Sequence, residues 1–482
     1  MAAPSLGRRA LGGAGATLLW QLIRLGLLGL SVLILARLLS PADYGLLAMV
    51  TAIIGVGELF RDLGLSVAAI QSKTLDAVEK TNLFWVNSAI GFVLTILCFF
   101  AAWPIAAIYG EPGLVPIAQS LSVTFLLNGV ATQFKAQLTR DLRFMSLGVA
   151  ETIPQALGLA VAIWLGVTLG DYRALVAQAL VVAIVALVMD ILLSRWWPGL
   201  PDPTVSIRRF LRFGGALTGT QSLAYLSKNI DTVLLGLVFG SVPLGFYNRA
   251  YQLVVLPLTQ LTAPLSRVAI PVLSRVQDDQ AAFLRYIRSG QFFTVTVSSL
   301  FYGSIVGLAD PLVRVILGDR WLPAAPILQA LAISGIFRAM GQVPYWIFLA
   351  KGLAGKQFRF YLVAQPLIVV AIVCGLPWGP VGVAIGCSIG YVIFWFLQMW
   401  WAGRSASMRT AGLIASGLSL AVLISVPVAG IGLAASALVP GSVPSLLVGF
   451  GAIVVYGAAL MLVVPRYRDH IRVVLKLLRK NG

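Results

Sequence analysis

Five basic residues lie deep within apolar stretches of the sequence, where a charge is costly. A charged side chain at the centre of a bilayer costs about 2.5–3.5 kcal/mol on insertion scales, so such residues face a water-filled cavity or pair with a carboxylate. Cations that face a cavity attract anions. The sequence therefore predicts a cationic cavity that binds an anionic substrate. Its candidate binding residues are Arg24, Arg61, Lys228, Arg267 and Arg338.

Acidic residues in the same apolar stretches are the candidate partners of these cations. They are Glu58, Asp62, Glu151, Asp190 and Asp231. Asp231 follows Lys228 by one helical turn, a spacing that suits a salt bridge and equally suits a site that couples transport to protons or sodium. Glu58 and Asp62 are further candidates for ion coupling. Two interpretations stay open, because the cations either line a cavity or form purely structural ion pairs.

The sequence predicts neither an enzyme nor a metal-binding protein. It contains no nucleotide-binding P-loop and no glycine-rich dinucleotide motif after a strand. Its single histidine, His470, lies near the C-terminus, so histidine-based metal sites and catalytic triads are excluded. The three cysteines, Cys98, Cys374 and Cys387, lie in apolar stretches without paired spacing. We therefore expect no catalytic residue, no metal, no disulfide and no cofactor.

Composition predicts the elements that must position these charges. Of the 482 residues, 59% are hydrophobic and 11% are charged, whereas soluble domains have about 45–50% apolar and about 25% charged residues. We predict an all-α polytopic membrane protein with about 14 transmembrane helices, each of about 20 apolar residues. The apolar stretches are 12–39, 45–70, 82–108, 114–138, 146–169, 174–194, 210–239, 244–272, 290–310, 323–350, 358–376, 380–402, 411–436 and 443–464.

Basic residues are concentrated in alternate connections between these stretches. One such connection carries Lys135, Arg140 and Arg143, and the chain as a whole has 35 Lys and Arg against 17 Asp and Glu. Cytoplasmic loops of membrane proteins collect Lys and Arg. The alternation predicts that both termini are cytoplasmic. It also assigns the net charge of +18 to membrane topology and not to nucleic-acid binding.

An internal repeat predicts two pseudo-symmetric six-helix lobes. Residues 116–122 (PIAQSLS) resemble residues 326–332 (PILQALA), at an offset of about six spans. An even offset relates the halves by a two-fold axis along the membrane normal, with a binding site at their interface. The predicted domains are an N-lobe of spans 1–6 (residues 1–200), a C-lobe of spans 7–12 (201–405), two C-terminal helices as spans 13–14 (406–465) and a basic amphipathic cytoplasmic tail (466–482).

Two groups of motifs resemble those of a known transporter family. The first is ARLLSPADYG at 36–45, directly after the first span. The second lies within 211–275 and consists of LRFG at 211–214, NID at 229–231, LGFYNRAYQL at 244–253 and PVLSR at 271–275. Together they are similar to the polysaccharide transporter (Wzx-type) family of the multidrug/oligosaccharidyl-lipid/polysaccharide (MOP) flippase superfamily. The resemblance extends over residues 10–465.

This resemblance implies a flippase that translocates an undecaprenyl-diphosphate-linked oligosaccharide from the cytoplasmic to the periplasmic leaflet by alternating access. Such a protein lies in the bacterial inner membrane and serves the biosynthesis of a surface polysaccharide, namely O-antigen, capsule or exopolysaccharide. The diphosphate would bind the deep cations. The implied partners are the lipid bilayer and the polymerase and glycosyltransferases of the same pathway, without nucleic acid.

Three alternatives differ in substrate or in class. A lipid II-type flippase of the same superfamily would differ only in the sugar head group. A multidrug exporter of organic cations would need an acidic cavity. A membrane-embedded polysaccharide polymerase or ligase would be an enzyme and would need large periplasmic loops with basic catalytic residues, which the sequence lacks.

Overall fold

The computed structural model describes residues 6–72 and 75–463. Within that part of the chain, helices are the only regular secondary structure, so the all-α fold predicted from the sequence is confirmed. Sixteen α-helices occur there, and 14 of them have at least 17 residues. The predicted tail at 466–482 lies outside the described residues.

The chain divides into two compact units, Met1–Gly245 and Phe246–Gly482. The helices of the first unit are α1 (Leu6–Leu38), α2 (Pro41–Asp62), α3 (Leu65–Gln71), α4 (Ala77–Tyr109), α5 (Leu114–Arg140), α6 (Phe144–Thr168), α7 (Arg173–Ser194), α8 (Arg208–Phe239) and the start of α9 (Ser241–Arg275). The second unit continues α9 and adds α10 (Gln280–Ile316), α11 (Ala324–Met340), α12 (Gln342–Ala350), α13 (Ala354–Gly375), α14 (Gly379–Ser405), α15 (Ala411–Leu438) and α16 (Ser442–Val463). The lobe boundaries at 200 and 405 stay predictions.

Eleven stretches of the described chain are long and apolar enough to cross a membrane. One of them, Ala354–Ser405, has 52 residues and contains both α13 and α14. Helix α2 is not among the eleven, and its C-terminal part carries Glu58, Arg61 and Asp62. The chain is therefore a multi-pass membrane protein, as predicted, and the number of 14 spans stays a prediction.

Two of the predicted apolar stretches are interrupted in the structure. The stretch 45–70 breaks after α2, where Leu63 and Gly64 have positive φ angles of 44° and 64°. A left-handed residue ends a helix because it breaks the ladder of backbone hydrogen bonds. The stretch 323–350 divides into α11 and α12 at Gly341, whose φ and ψ of −61° and −14° stay in the right-handed region. The sequence did not show these divisions, because charged residues next to them, such as Asp62 and Arg338, were interpreted as charges within a span and not as marks of a helix end.

The motif at 36–45 forms the tight turn between α1 and α2. Ser40 Oγ accepts a hydrogen bond from the Asp43 amide at 3.3 Å, and Asp43 Oδ2 accepts one from the Ser40 amide at 2.8 Å. This reciprocal cap satisfies amide groups that the first turn of a helix leaves without partners. Gly45 then passes close to the start of α9, since a Cβ atom there would lie 2.8 Å from Ser241 Cα. The motif thus determines where α2 begins and how closely α9 approaches it.

Helix α10 lies at the centre of the second unit, where it packs against α11, α15 and α16. Leu308 of α10 is buried with Ile424 of α15 and Ile453 of α16. Gly307 and Gly432 allow α10 and α15 to come close, because a Cβ atom on Gly307 would lie 2.8 Å from Gly432 Cα. Small residues at such crossings are typical of helices that pack within a membrane.

Candidate functional site

A cavity of about 430 Å³ lies within the first unit, between α1, α5, α6 and α7. Each of these helices contributes one charged side chain, in the order Arg24, Lys135, Glu151 and Asp190. The rest of the lining is apolar except for three uncharged polar residues. Pockets that hold small ligands have volumes of about 300–1,000 Å³. The cavity is therefore large enough for a charged group of a ligand.

Glu151 is held between two cations at this cavity. Its Oε2 accepts a hydrogen bond from Arg24, and its Oε1 lies 2.8 Å from Lys135 Nζ. The side chains of Arg24, Lys135 and Glu151 are 42%, 52% and 32% exposed, so protein atoms fully enclose none of the three. Partly exposed ion pairs contribute about 0–1 kcal/mol of net stability. These contacts therefore open at little cost when another anion competes for the cations.

The packing of α1 against α6 positions Arg24 and Glu151 relative to each other. Helix α6 approaches α1 at Gly148, where a Cβ atom would lie 2.5 Å from Trp20 Nε1. Pro154 lies inside α6, three residues after Glu151, and also borders the cavity. A proline within a helix removes one backbone hydrogen bond and permits a bend. Helix α6 is thus closely packed before Glu151, and the turn 150–154, which contains Glu151, lacks one backbone hydrogen bond.

Asp190 is the most deeply buried charged residue of the cavity. It is 4% exposed, and its Oδ1 has no hydrogen-bond partner among the described residues. Lys135 and Glu151 lie near enough to act on its charge. With all four groups ionised, two cations balance two carboxylates, so the cavity is formally neutral. Its charge is therefore more balanced than that of the cationic cavity predicted from the sequence.

Arg61 lies in a separate network between α2 and α5. Its Nε donates to Glu58 Oε2 at 2.6 Å, and its NH1 donates to the Asn128 carbonyl at 3.0 Å and to Thr132 Oγ1 at 2.5 Å. Asn128 Nδ2 in turn donates to Glu58 Oε1 at 3.0 Å. Both charged groups of this network are engaged by protein atoms. The arrangement favours the structural interpretation for Arg61 and Glu58.

The other acidic candidates for ion coupling accept local hydrogen bonds. Asp62 accepts from the amide and hydroxyl of Ser66 at 3.1 and 2.5 Å, within the first turn of α3. Asp231 of α8 is 3% exposed and accepts from the Thr232 amide at 2.8 Å. The side chain of Lys228 lies outside the described residues. The pairing of Lys228 with Asp231 therefore stays a prediction.

In the second unit, aromatic rings hold Arg338 of α11. Its guanidinium carbon lies 4.6 Å from the ring centre of Tyr391 in α14 and 5.4 Å from that of Tyr251 in α9. Its NH2 donates to Tyr251 Oη at 3.3 Å. Within the described chain, its NH1 has no hydrogen-bond partner and no carboxylate forms an ion pair with it. The last predicted cation, Arg267, is exposed on α9.

The structure joins Arg24 to Glu151, one of the candidate partners named from the sequence. It adds Lys135, which the charge pattern assigned to a cytoplasmic connection. The signal that could have identified Lys135 is its position, because it lies within the apolar stretch 114–138 and not beyond it. Tyr251 and Tyr391 were also missed, since aromatic residues in apolar stretches do not show from the sequence which cation they contact.

Comparison with known proteins matches much of the chain to proteins of polysaccharide biosynthesis. Residues 34–326 match a family described as polysaccharide biosynthesis protein. The lipopolysaccharide biosynthesis protein WzxC of Escherichia coli (strain K12) is 27% identical over 399 residues, which are 81% of this chain and 79% of WzxC. The amylovoran biosynthesis protein AmsL of Erwinia amylovora is 25% identical over 337 residues, which are 68% of this chain and 86% of AmsL. The matched family segment includes α5, α6 and α7 but begins after Arg24.

The fold is also similar to that of a solved flippase. The lipid II flippase MurJ, in an inward closed conformation, aligns with a TM-score of 0.74 over 96% of this chain and 100% of the MurJ chain. The two sequences are 15% identical in that alignment. The likeness therefore concerns the fold alone, and it agrees with the polytopic helical architecture described above.

Proposed function

The chain belongs to the family of polysaccharide biosynthesis proteins, and we propose that it flips an undecaprenyl-diphosphate-linked oligosaccharide from the cytoplasmic to the periplasmic leaflet of the bacterial inner membrane. The names of its relatives describe polysaccharide biosynthesis and transport. It is thus a membrane transport protein of this group and not an enzyme. The substrate, the direction and the alternating-access mechanism form the proposal.

The observation that carries the proposal is the pair of partly exposed cations, Arg24 and Lys135, at a cavity among apolar helices. A diphosphate presents several anionic oxygens. Arginine binds such oxygens through paired N–H groups, and lysine binds them as a compact point charge. A polyprenyl tail can stay in the hydrocarbon of the bilayer while the polar head group passes through a hydrated cavity. The two cations therefore supply what the most highly charged part of this substrate requires.

Of the other predicted cations, three are proposed to bind anions and one is assigned to helix packing. Arg338 has no carboxylate partner within the described chain, so we keep it as a proposed anion-binding cation, although its NH1 is buried in this structure. Arg267 is exposed and is proposed as a second contact of the head group. Lys228 is proposed as a substrate-binding cation on the basis of its position in the sequence alone. Arg61 is engaged by Glu58, so we assign it to helix packing.

Ion coupling is proposed for Asp231. Transport against a gradient requires a group that binds and releases a proton or a sodium ion, and a carboxylate within a spanning helix is the usual kind of group. Asp231 meets this requirement at 3% exposure in α8. Glu58 and Asp62 are weaker candidates, because Arg61 and Ser66 already engage their oxygens.

The cellular setting follows from the same proposal. Both termini are placed in the cytoplasm by the positive-inside pattern. The polymerase and glycosyltransferases of the same pathway are proposed as neighbours that use and supply the substrate. A lipid II-type flippase of the same superfamily is the second candidate function, since its substrate would differ only in the sugar head group.

Deletion of the gene tests the proposal. Cells that lack the protein should assemble the lipid-linked oligosaccharide and accumulate it without exporting the polysaccharide, as measured by mass spectrometry of extracted lipids and by surface polysaccharide staining. A plasmid copy should restore export, and a copy with Arg37→Gln, an exposed position on α1, should also restore it. Accumulation of lipid II would favour the second candidate. Loss of the lipid-linked precursor itself would contradict transport, because it would indicate a defect in synthesis.

A further inference from the structure

Glu151 occupies a position that an anionic ligand would also occupy. One of its oxygens contacts Arg24 and the other lies 2.8 Å from Lys135 Nζ. Among the described residues, these two cations are the hydrogen-bonding and ion-pair partners of its carboxylate. A carboxylate that bridges Arg and Lys through separate oxygens resembles a phosphate group that does the same, because both present two anionic oxygens to charged N–H donors.

The surroundings of Glu151 allow it to be replaced. The two cations are about half exposed, and the cavity beside them has a volume of about 430 Å³. Glu151 itself is 32% exposed, so its side chain has space to turn away from the cations. In the Arg61 network, by contrast, Glu58 Oε1 is also bound by Asn128 and Arg61 also by Thr132. In the described chain, the carboxylate of Glu151 has no partner besides Arg24 and Lys135.

We propose that Glu151 is a displaceable counterion of the substrate site. In the unloaded protein it neutralises Arg24 and Lys135, and it releases both when the diphosphate of a lipid-linked substrate enters. The inference rests on the proposed function, because it takes the diphosphate as the ligand. In Glu151 the protein therefore carries its own competitor for that ligand. The competitor keeps two cations compensated while the cavity is empty and lowers the affinity for the anion.

If Glu151 is a displaceable counterion, removal of its negative charge should strengthen the binding of an anionic ligand. Farnesyl diphosphate serves as a short isoprenoid diphosphate probe, and its binding to the purified full chain in nanodiscs is measured by calorimetry. Glu151→Gln should bind the probe up to about fivefold more tightly than the wild type, which corresponds to removal of one partly exposed ion-pair competitor worth up to about 1 kcal/mol. A residue that merely holds Arg24 in place would give the opposite change.

Two further variants act as controls. Asp190→Asn removes a negative charge from the same cavity, but Asp190 forms no ion pair with Arg24 or Lys135 in the described structure, so the gain should be smaller. Glu151→Asp keeps the charge on a side chain one methylene shorter, which cannot reach both cations equally. It should bind slightly more tightly than the wild type, and it provides the test if Glu151→Gln does not fold.

The outcomes separate this inference from the proposed function. Adding Arg24→Gln to Glu151→Gln should abolish the gain. Equal or weaker binding by folded Glu151→Gln and Glu151→Asp proteins, with wild-type binding that depends on Arg24, would overturn the counterion role and leave the proposed function intact. Wild-type binding that is absent or independent of Arg24 would instead remove the proposed diphosphate site, and the counterion role with it.

Discussion

Arg24 and Glu151 lie 127 positions apart in the sequence, and their side chains form an ion pair across α1 and α6. Lys135 of α5 completes the pair on the other oxygen of the carboxylate at 2.8 Å. The three helices thus bring their charges to one cavity. Basic residues can be retained within apolar helices in this way, because charges inside a membrane pair with one another or face a cavity.

Neutralising Arg24 should affect transport and not folding. Arg24→Gln leaves Glu151 in contact with Lys135 and water, so no carboxylate loses all its partners. We expect protein abundance within about twofold of the wild type and export of polysaccharide reduced at least about tenfold, since a charge-assisted contact is worth about 1.5–3 kcal/mol. Immunoblotting and surface polysaccharide staining measure the two quantities. Export equal to that of the Arg37→Gln control would remove Arg24 from the site.

Neutralising Arg61, in contrast, should destabilise the protein. Arg61→Gln deprives Glu58 of its ion-pair partner and removes two hydrogen bonds to α5. We expect a loss of about 1–3 kcal/mol of stability, because half-buried charged groups lose their partners. Abundance and export should therefore fall together, and the purified protein should melt at a lower temperature. Normal abundance with abolished export would return Arg61 to the substrate site.

The turn motif gives a prediction about packing alone. Gly45→Ala places a Cβ atom 2.8 Å from Ser241 Cα, so α2 or α9 must shift. Overpacking of this kind costs about 1–3 kcal/mol. Gly113→Ala is the matched control, because nothing lies within 4 Å of its Cβ position and its φ is −60°. Thermal melting of both variants should show a lower transition for Gly45→Ala alone, and equal transitions would contradict the close approach.

The aromatic contacts of Arg338 predict that transport requires a guanidinium group at position 338 and an aromatic ring at position 391. Lysine lacks the planar group that lies over Tyr251 and Tyr391, so Arg338→Lys should lose about 1–2 kcal/mol of interaction. Export should fall roughly tenfold in Arg338→Lys. Tyr391→Phe keeps the ring face and should export nearly as well as the wild type, whereas Tyr391→Leu should not. Equal export by the two Tyr391 variants would show that the ring face is irrelevant.

The sequence was sufficient for the class of fold. Apolar stretches of about 20 residues record burial in hydrocarbon, and α4 and α15 fall where the stretches 82–108 and 411–436 predict them. The start of α2 was also marked in the sequence, by the Ser40–Asp43 capping pair and Pro41. The break at Leu63 and Gly64 was only weakly marked, because Gly64 suits a positive φ but glycine is common in spanning helices, and Leu63 shows no preference for a positive φ.

The site was only partly predictable for a different reason. Deep charges such as Arg24 and Glu151 are conspicuous in the sequence because each is costly in hydrocarbon. Which charge meets which depends on helix packing, for example on the close approach of α6 to α1 at Gly148. Lys135 lies near the end of its apolar stretch, where a cytoplasmic position and a cavity position give the same sequence pattern. Only the fold distinguishes them.

The most direct test of the central claim is a flipping measurement in proteoliposomes that contain the purified chain. A fluorescent polyprenyl-diphosphate-linked sugar is incorporated, and a membrane-impermeant quencher reports how fast it moves between leaflets. We predict that wild-type and Arg37→Gln proteins accelerate its movement over protein-free liposomes, and that Arg24→Gln slows it at least about tenfold relative to wild type. Wild-type protein that moves the lipid no faster than empty liposomes, or Arg24→Gln protein that moves it at the wild-type rate, would contradict the account.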